Sequence, residues 1–82
     1  MEKEYLEWVA RKRGYVYGMN ILGKYGYPED ISEIKVVEET AIQNILEDTY
    51  YSDFEKQVMI EEVKNIFRDY KDMLKWKYME VV

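Results

Sequence analysis

The sequence has 82 residues and a net charge of −5, and it contains neither cysteine nor histidine. Disulfides, thiol or imidazole catalysis and most transition-metal sites are therefore excluded within the chain. The acidic balance also disfavours general binding to nucleic-acid phosphates. Because hydrophobic side chains make up 48% of the chain, we expect one folded domain over residues 1–82 rather than a disordered segment.

The distribution of charge also bears on location. A secretion signal needs an apolar core, whereas residues 1–8 include several charged side chains. The longest stretch without a charge spans ten residues, from Gly14 to Gly23, which is about half of what a membrane-spanning helix needs. We therefore expect no membrane partner and a cytoplasmic location, in the cell of origin or in an infected host.

The first predicted helix covers residues 2–22. Ala10, Gly14 and Gly18 follow one another at four-residue spacing, so on a helix they form a groove of small residues where a second helix can approach closely. The alternative is that this helix ends at Gly14, after a run of three cations, and that residues 15–22 form a short strand or another helix.

Apolar side chains are spread around nearly the whole circumference of the first helix. A helix of this kind is buried on all sides, and an 82-residue monomer has too little chain to surround it. We therefore predict that the first helix packs in a homo-oligomer, most simply a dimer. The apolar positions are Leu6, Trp8, Val9, Tyr15, Val16, Met19 and Leu22.

The second helix is predicted to begin near Pro28, a residue suited to the first helical position, and to end around residues Asp48 to Tyr51. Glu29 and Asp30 would then lie in its first turn, where carboxylates interact favourably with the helix dipole. Its predicted apolar face consists of Ile31, Ile34, Val37, Ala41, Ile42 and Ile45.

The third predicted helix covers residues 53–79. Ser52 and Glu55 are spaced as a capping box, in which each side chain accepts a hydrogen bond from the backbone N–H of the other residue. Because the link at residues 48–52 is short, the second and third helices are expected to form an antiparallel hairpin. The apolar stripe of the third helix consists of Ile60, Val63, Phe67, Tyr70, Leu74 and Val81, widened by Met59, Ile66 and Met73.

No internal repeat or low-complexity tract interrupts this order of elements. The predicted fold class is therefore all-α. We expect a small three-helix protein in which helices two and three form an antiparallel α-hairpin and the apolar first helix is packed in an oligomer.

Enzymatic activity is not expected. Ser32 and Ser52 lie where helix caps are predicted, and the chain has no histidine that could activate either hydroxyl as a nucleophile. The sequence also lacks a calcium-binding loop and a glycine-rich phosphate loop. We therefore predict no catalytic residues, no metal site and no cofactor.

One carboxylate stands out because it lies within an apolar arc. On a helical wheel Glu38 falls between Ala41 and Ile31, inside the face predicted to pack. It is expected to be a border residue or a member of an ion pair, or else to contact a ligand or partner at a helix seam. The candidate cations for the ion pair are Arg11, Arg13 and Lys64.

A cluster of basic and aromatic residues is the sharpest functional signal. Cations interleaved with stacking rings are typical of sites for nucleotides or single-stranded nucleic acid, and tyrosine is equally favoured at protein contact surfaces. Residues 13–17 are similar to the RNP1 motif of RNA-recognition domains, but Val16, Gly18 and Asn20 depart from its pattern and no sheet is predicted. The predicted partner-binding residues are Arg11, Arg13, Tyr15, Tyr17, Lys24, Tyr25 and Tyr27.

A second, basic candidate surface lies on the third helix. Residues 28–51, by contrast, carry one basic and seven acidic side chains, a balance of −6. The basic stripe is expected either to lie against this acidic second helix, where each exposed pair would contribute little stability, or to form an anion-binding edge. Its members are Lys64, Arg68, Lys71 and Lys75.

The sequence thus predicts a non-enzymatic protein-interaction module. Its small size, acidic balance and helical pattern are common among regulatory or inhibitory accessory proteins of phages, archaeal viruses and plasmids. Such a protein would act as a homo-oligomer, most simply a dimer, on a protein target. The alternative is a nucleotide or nucleic-acid binding protein that uses the basic and aromatic cluster.

Overall fold

The computed structural model describes the backbone of residues 2–81 and the side chains of residues 2–77. Three α-helices follow one another in this part of the chain: α1 (Glu2–Lys24), α2 (Ile31–Glu47) and α3 (Asp53–Val81). The described residues contain no strand, so the predicted all-α class and the order of three helices are confirmed. None of these helices is both long enough and apolar enough to cross a membrane.

Helix α1 is continuous through Gly14 and Gly18, so the alternative break at Gly14 is wrong. The cost of two glycines is offset by packing, because Ala10, Gly14, Gly18 and Ile21 are all buried. A Cβ added to Gly14 would lie 2.8 Å from the carbonyl oxygen of Met59. The predicted groove of small residues is thus the place where α3 approaches α1 most closely.

Helix α1 ends in a glycine cap two residues beyond its predicted end. The backbone N–H of Tyr27 donates to the carbonyl of Leu22, and that of Gly26 donates to the carbonyl of Gly23, which is the pattern of a Schellman motif. Gly26 has a φ of 72°, a conformation that glycine adopts without steric cost. The chain is thereby turned towards α2.

The start of α2 corrects the sequence prediction. The helix begins at Ile31 rather than Pro28, because Asp30 is the N-cap: its carboxylate accepts from the backbone N–H of Ser32 at 2.8 Å. Pro28 is instead a buried residue of the preceding loop, where its carbonyl accepts from the hydroxyl of Tyr70 at 2.7 Å. The cap thus satisfies the first backbone donors that a helix leaves unpaired.

The start of α3 follows the prediction. The N–H of Ser52 donates to the carboxylate of Glu55 at 3.1 Å, and the N–H of Glu55 donates to the hydroxyl of Ser52 at 3.2 Å. The capping box is therefore confirmed. These hydrogen bonds from Ser52, with a smaller contribution from the guanidinium of Arg13, hold the pKa of Glu55 below its ordinary value of 4.5.

We expect this capping box to make unfolding sensitive to acid. Because the pKa of Glu55 is lower in the folded chain, its contribution is complete above the ordinary carboxyl pKa and is lost as the pH falls through the folded value. Glu55→Gln still caps the helix but does not titrate. Between roughly pH 6 and pH 3, its free energy of unfolding in urea should therefore fall by about 0.5–1 kcal/mol less than that of the native chain. An equal loss in both proteins would contradict this assignment.

The core lies between the three helices. Two residues of the predicted apolar faces, Met73 and Ile31, lie outside it. Met59 and Ile66 are buried under α1, but Met73 is exposed because α1 ends before it reaches that turn of α3. Ile31 is the first residue of α2, and side chains tilt towards the N-terminus of a helix. The side chain of Ile31 therefore extends beyond the packed turns and is exposed. The largest fully buried side chains are Phe67, Leu22, Ile34 and Val63.

Candidate functional site

The predicted basic and aromatic cluster is divided among three parts of the surface. Arg11 and Tyr15 lie four residues apart and line a depression with Glu62 of α3. Arg13 and Tyr17, also four residues apart, line a cleft with α2. The division arises because residues two positions apart on a helix point about 200° apart. The remaining three members, at the end of α1 and in the loop after it, are Lys24, Tyr25 and Tyr27.

Arg11 holds α1 against α3. Its guanidinium lies 3.1 Å from the carboxylate of Glu7, 3.2 Å from that of Glu62 and 3.5 Å from that of Glu61. Hydrogen bonds to Glu7 and Glu62 raise the pKa of Arg11. This cation is thus engaged within the chain, an outcome that the sequence did not indicate because two of its three partners lie some fifty residues away.

Arg13 is engaged in a similar way. Its guanidinium lies 3.5 Å from the carboxylate of Glu55 and 5.3 Å from the ring centroid of Tyr51. Stacking of a guanidinium on an aromatic face is a favourable cation–π contact. Reversal of the charge at Arg13 would therefore disturb the start of α3, so that variant is unsuited to testing partner binding.

The side of α1 that faces away from α3 carries a row of exposed rings and aliphatic groups. On the helical wheel Tyr5 lies 180° from Gly14, the closest contact with α3. Tyr5 is 65% exposed, Trp8 57% and Tyr15 51%. We call this surface the outer face of α1, and it comprises Tyr5, Trp8, Lys12, Tyr15, Val16 and Met19.

Contacts within the outer face hold its rings in a row. The rings of Tyr5 and Trp8 lie 6.3 Å apart at an interplanar angle of 31°. The ammonium group of Lys12 lies 5.2 Å from the ring centroid of Trp8. Because the charge is stacked on a ring and its methylene stem is apolar, Lys12 does not divide the outer face into two separate patches.

A cleft of about 460 Å³ lies between α1 and α2. The side-chain amide of Asn44 donates to the hydroxyl of Tyr17 at 3.0 Å across it. Asn20, Asn44, Asp48 and Tyr51 were not singled out in the sequence, because they come from three separate segments without a shared motif. We call this the α1–α2 cleft, and it is lined by Lys12, Arg13, Val16, Tyr17, Asn20, Asn44, Ile45, Asp48, Tyr51 and Met59.

Tyr25 and Tyr27, which follow α1, both remain exposed. Tyr27 has a φ of 51°, a conformation that costs a bulky residue roughly 1–2 kcal/mol. It is held there by its backbone bond to Leu22 and by its ring, which lies 6.4 Å from that of Tyr70. Tyr25 lies apart from Tyr27, in a shallow groove beside Pro28 and α2.

The basic stripe of α3 meets α2 at Lys71, whose ammonium lies 3.3 Å from the carboxylate of Glu38. The predicted partners of Glu38 are wrong, because two of those cations are paired with glutamates of α3 and the third, Lys64, is exposed. Arg68 pairs with its neighbour Asp69 at 3.5 Å. Lys64 and Lys75 form no ion pair with the residues that the structure describes.

The Glu38–Lys71 pair is expected to contribute little stability. The side chain of Glu38 is 17% exposed and that of Lys71 38%, so both groups stay in contact with water, and exposed pairs of this kind contribute about 0.2–1 kcal/mol. Glu38→Gln should therefore lower the free energy of unfolding by less than about 1 kcal/mol in urea titrations. A loss of several kcal/mol would instead indicate a buried pair.

Among the residues that the structure describes, no group of three or more carboxylates converges in a way that could hold a metal ion. A comparison with protein-family models finds no matching family. Comparisons with curated proteins and with solved structures find no match either. The function is therefore argued from the two surfaces just described, the outer face of α1 and the α1–α2 cleft.

Proposed function

We propose that the protein is a non-enzymatic protein-interaction module that self-associates through the outer face of α1. The observation that carries this proposal is the exposure of Tyr5, Trp8 and Tyr15 in one row. Three aromatic rings, each about half exposed, leave on the order of 300 Å² of apolar surface in water. The largest apolar patch on a typical soluble monomer is about 300–600 Å², and such patches are often contact sites.

The residue types on the outer face support contact with a protein. Tryptophan and tyrosine are the residues that contribute most often to binding energy at protein interfaces. They offer a large contact area and lose little conformational entropy when it is buried. The opposite side of α1 packs closely against the backbone of α3 at Gly14. The helix that carries the rings is therefore ordered before binding.

The arrangement of the other two helices belongs to the same proposal. Contacts that α3 makes with α2 and with the loop before it join Leu46 to Lys56, Glu38 to Lys71 and Glu29 to Lys77. The residue number of the first partner decreases along this series while that of the second, on α3, increases. We infer from it that α2 and α3 form an antiparallel hairpin, which acts as the platform that presents α1.

A regulatory or inhibitory role is the form of action that this chemistry favours. The groups that the outer face offers are rings, aliphatic side chains and one cation, and these act by occupying a surface on a partner. The proposed protein is thus a small regulator that works by contact and does so as a homo-oligomer. Because self-association covers the outer face, the target contacts exposed aromatic side chains outside it, such as Tyr25 and Tyr27.

Fluorescence of single-tryptophan variants tests the proposal. Trp76→Phe leaves Trp8 as the only tryptophan, and Trp8→Phe leaves Trp76, which lies on α3 and is 65% exposed. Over a dilution series, acrylamide should quench Trp8 weakly at high protein concentration and strongly at low concentration, because self-association covers it. Trp76 is the matched control, and its quenching should not change.

The same experiment can contradict the proposal. If Trp8 is quenched equally at all concentrations, the outer face is not covered by self-association. If Trp76 becomes protected instead, self-association uses the C-terminal part of α3.

The α1–α2 cleft supports a second candidate function, the binding of a nucleotide. Its volume of about 460 Å³ lies within the range of small-molecule sites. Lys12 and Arg13 line the cleft and would leave the ring of Trp8 and the carboxylate of Glu55, respectively, to neutralise a phosphate, while the ring of Tyr17 could contact a base. The cleft also contains the amide of Asn44, which can donate to and accept from a base edge.

Titration with AMP, followed by NMR of backbone amides, tests this candidate. Saturable shifts confined to the cleft, abolished by Asn44→Ala and retained in Gln43→Ala, are the expected result. Gln43 is the matched control because it is the neighbouring amide on α2 and does not line the cleft. Shifts that do not saturate, or that persist in Asn44→Ala, would contradict a nucleotide site.

A further inference from the structure

The outer face of α1 has the spacing of a coiled-coil seam. Tyr5, Trp8, Lys12, Tyr15 and Met19 follow one another at intervals of three, four, three and four residues, which is the a and d pattern of a heptad repeat. Trp8 and Tyr15 lie at d, and the other three residues lie at a. A seam of this kind is complementary to another helix with the same spacing, and α1 of a second copy provides one.

We infer that two copies of the chain pair their α1 helices antiparallel, about a two-fold axis near Lys12. This inference rests on the proposed self-association and adds the partner helix and its direction. In a two-fold dimer the same patch serves both copies. A lysine at a single a position is a known determinant of register and oligomeric state in coiled coils.

Charge decides the direction. Residues 2–10 carry one basic and three acidic side chains, a balance of −2, whereas residues 11–24 carry four basic side chains and no acidic one. Parallel pairing would place the two positive halves beside each other. Antiparallel pairing places the negative half of each α1 beside the positive half of its partner, which is the complementary arrangement.

The area available is consistent with this partner. The three rings of the outer face contribute on the order of 300 Å² per copy, and Lys12, Val16 and Met19 extend the same surface. A standard interface buries about 800 Å² per partner. The seam therefore provides the apolar centre of such an interface, and the charged flanks of α1 provide its rim.

Chemical cross-linking tests the direction. The chain contains no cysteine, so Glu2→Cys and Asn20→Cys each introduce a single thiol on the same flank of the seam, at exposed positions outside it. In an antiparallel pair centred near Lys12, each Glu2 lies beside Asn20 of the other copy. The two Glu2 residues are then about 30 Å apart along the helix axis.

The expected result is that a short bis-maleimide cross-links a mixture of the two variants into a mixed dimer and cross-links neither variant with itself. Cross-linking of each variant with itself would overturn the antiparallel direction while the proposed self-association stands. Light scattering of the native chain before cross-linking separates the two claims, since a native monomer would overturn both.

Discussion

Replacing Gly14 with leucine should destabilise the protein by about 3 kcal/mol, a large fraction of the 5–15 kcal/mol that folded domains have. A Cβ at this position would lie 2.8 Å from the carbonyl oxygen and 3.0 Å from the Cα of Met59. Both atoms belong to the backbone of α3, so the clash is relieved only if the two helices separate. Urea unfolding followed by circular dichroism measures the loss.

Gly23→Leu is the matched control for that variant. Gly23 lies on the same helix but is exposed, and an added Cβ meets no atom closer than the hydroxyl of Tyr27 at 3.7 Å. Because leucine favours the helix by about 0.5–1 kcal/mol over glycine, this variant should be slightly more stable than the native chain. Equal stability of the two variants would show that α1 does not lie against α3 at Gly14.

Trp8→Glu should weaken self-association by a factor of 100 or more. Each dimer loses two aromatic side chains from the centre of the seam, one from each copy, and tryptophans at such positions often contribute 2 kcal/mol or more each. A carboxylate at position 8 would also be desolvated beside apolar groups. Sedimentation over a range of concentrations measures the change in dissociation constant.

The fold of that variant should be intact, because Trp8 is 57% exposed and lies outside the core. Trp76→Glu is the control, since Trp76 is an exposed tryptophan on α3. It should leave the dissociation constant unchanged. A loss of association in Trp76→Glu alone would place the interface on the C-terminal part of α3.

Much of the fold could be read from the sequence because local chemistry determines it. The four-residue spacing of Ala10, Gly14 and Gly18 predicted a close helix contact, and α3 makes that contact. The pair Ser52 and Glu55 predicted the start of α3. These signals need only neighbours along the chain, so periodicity and capping rules are sufficient to recognise them.

Two features of the fold differ from the sequence prediction, each for its own reason. Met73 fits the apolar period of α3, yet it is exposed because α1 stops at Lys24. Pro28 suits a helix start, but Asp30 two residues later provides the stronger cap. In the first case a correct local rule competed with a feature elsewhere in the chain, and in the second it competed with a stronger local signal.

The candidate site was predicted only in part, because contacts between distant parts of the chain also decide which side chains are available. Tyr15, Tyr25 and Tyr27 are exposed, as expected for contact residues. Arg11 and Arg13 are predicted to bind a partner, but both are paired with glutamates of α3, and such long-range pairing leaves no mark on the sequence. The outer face of α1 emerged only once the buried side of that helix was known.

The mass of the native chain in solution tests the central claim most directly. Light scattering after size exclusion at micromolar concentration should give twice the chain mass of 10.0 kDa, with a shift towards the single-chain mass on dilution. A particle of 10.0 kDa at every concentration would contradict the account, because the outer face of α1 would then remain in water without a second copy to cover it.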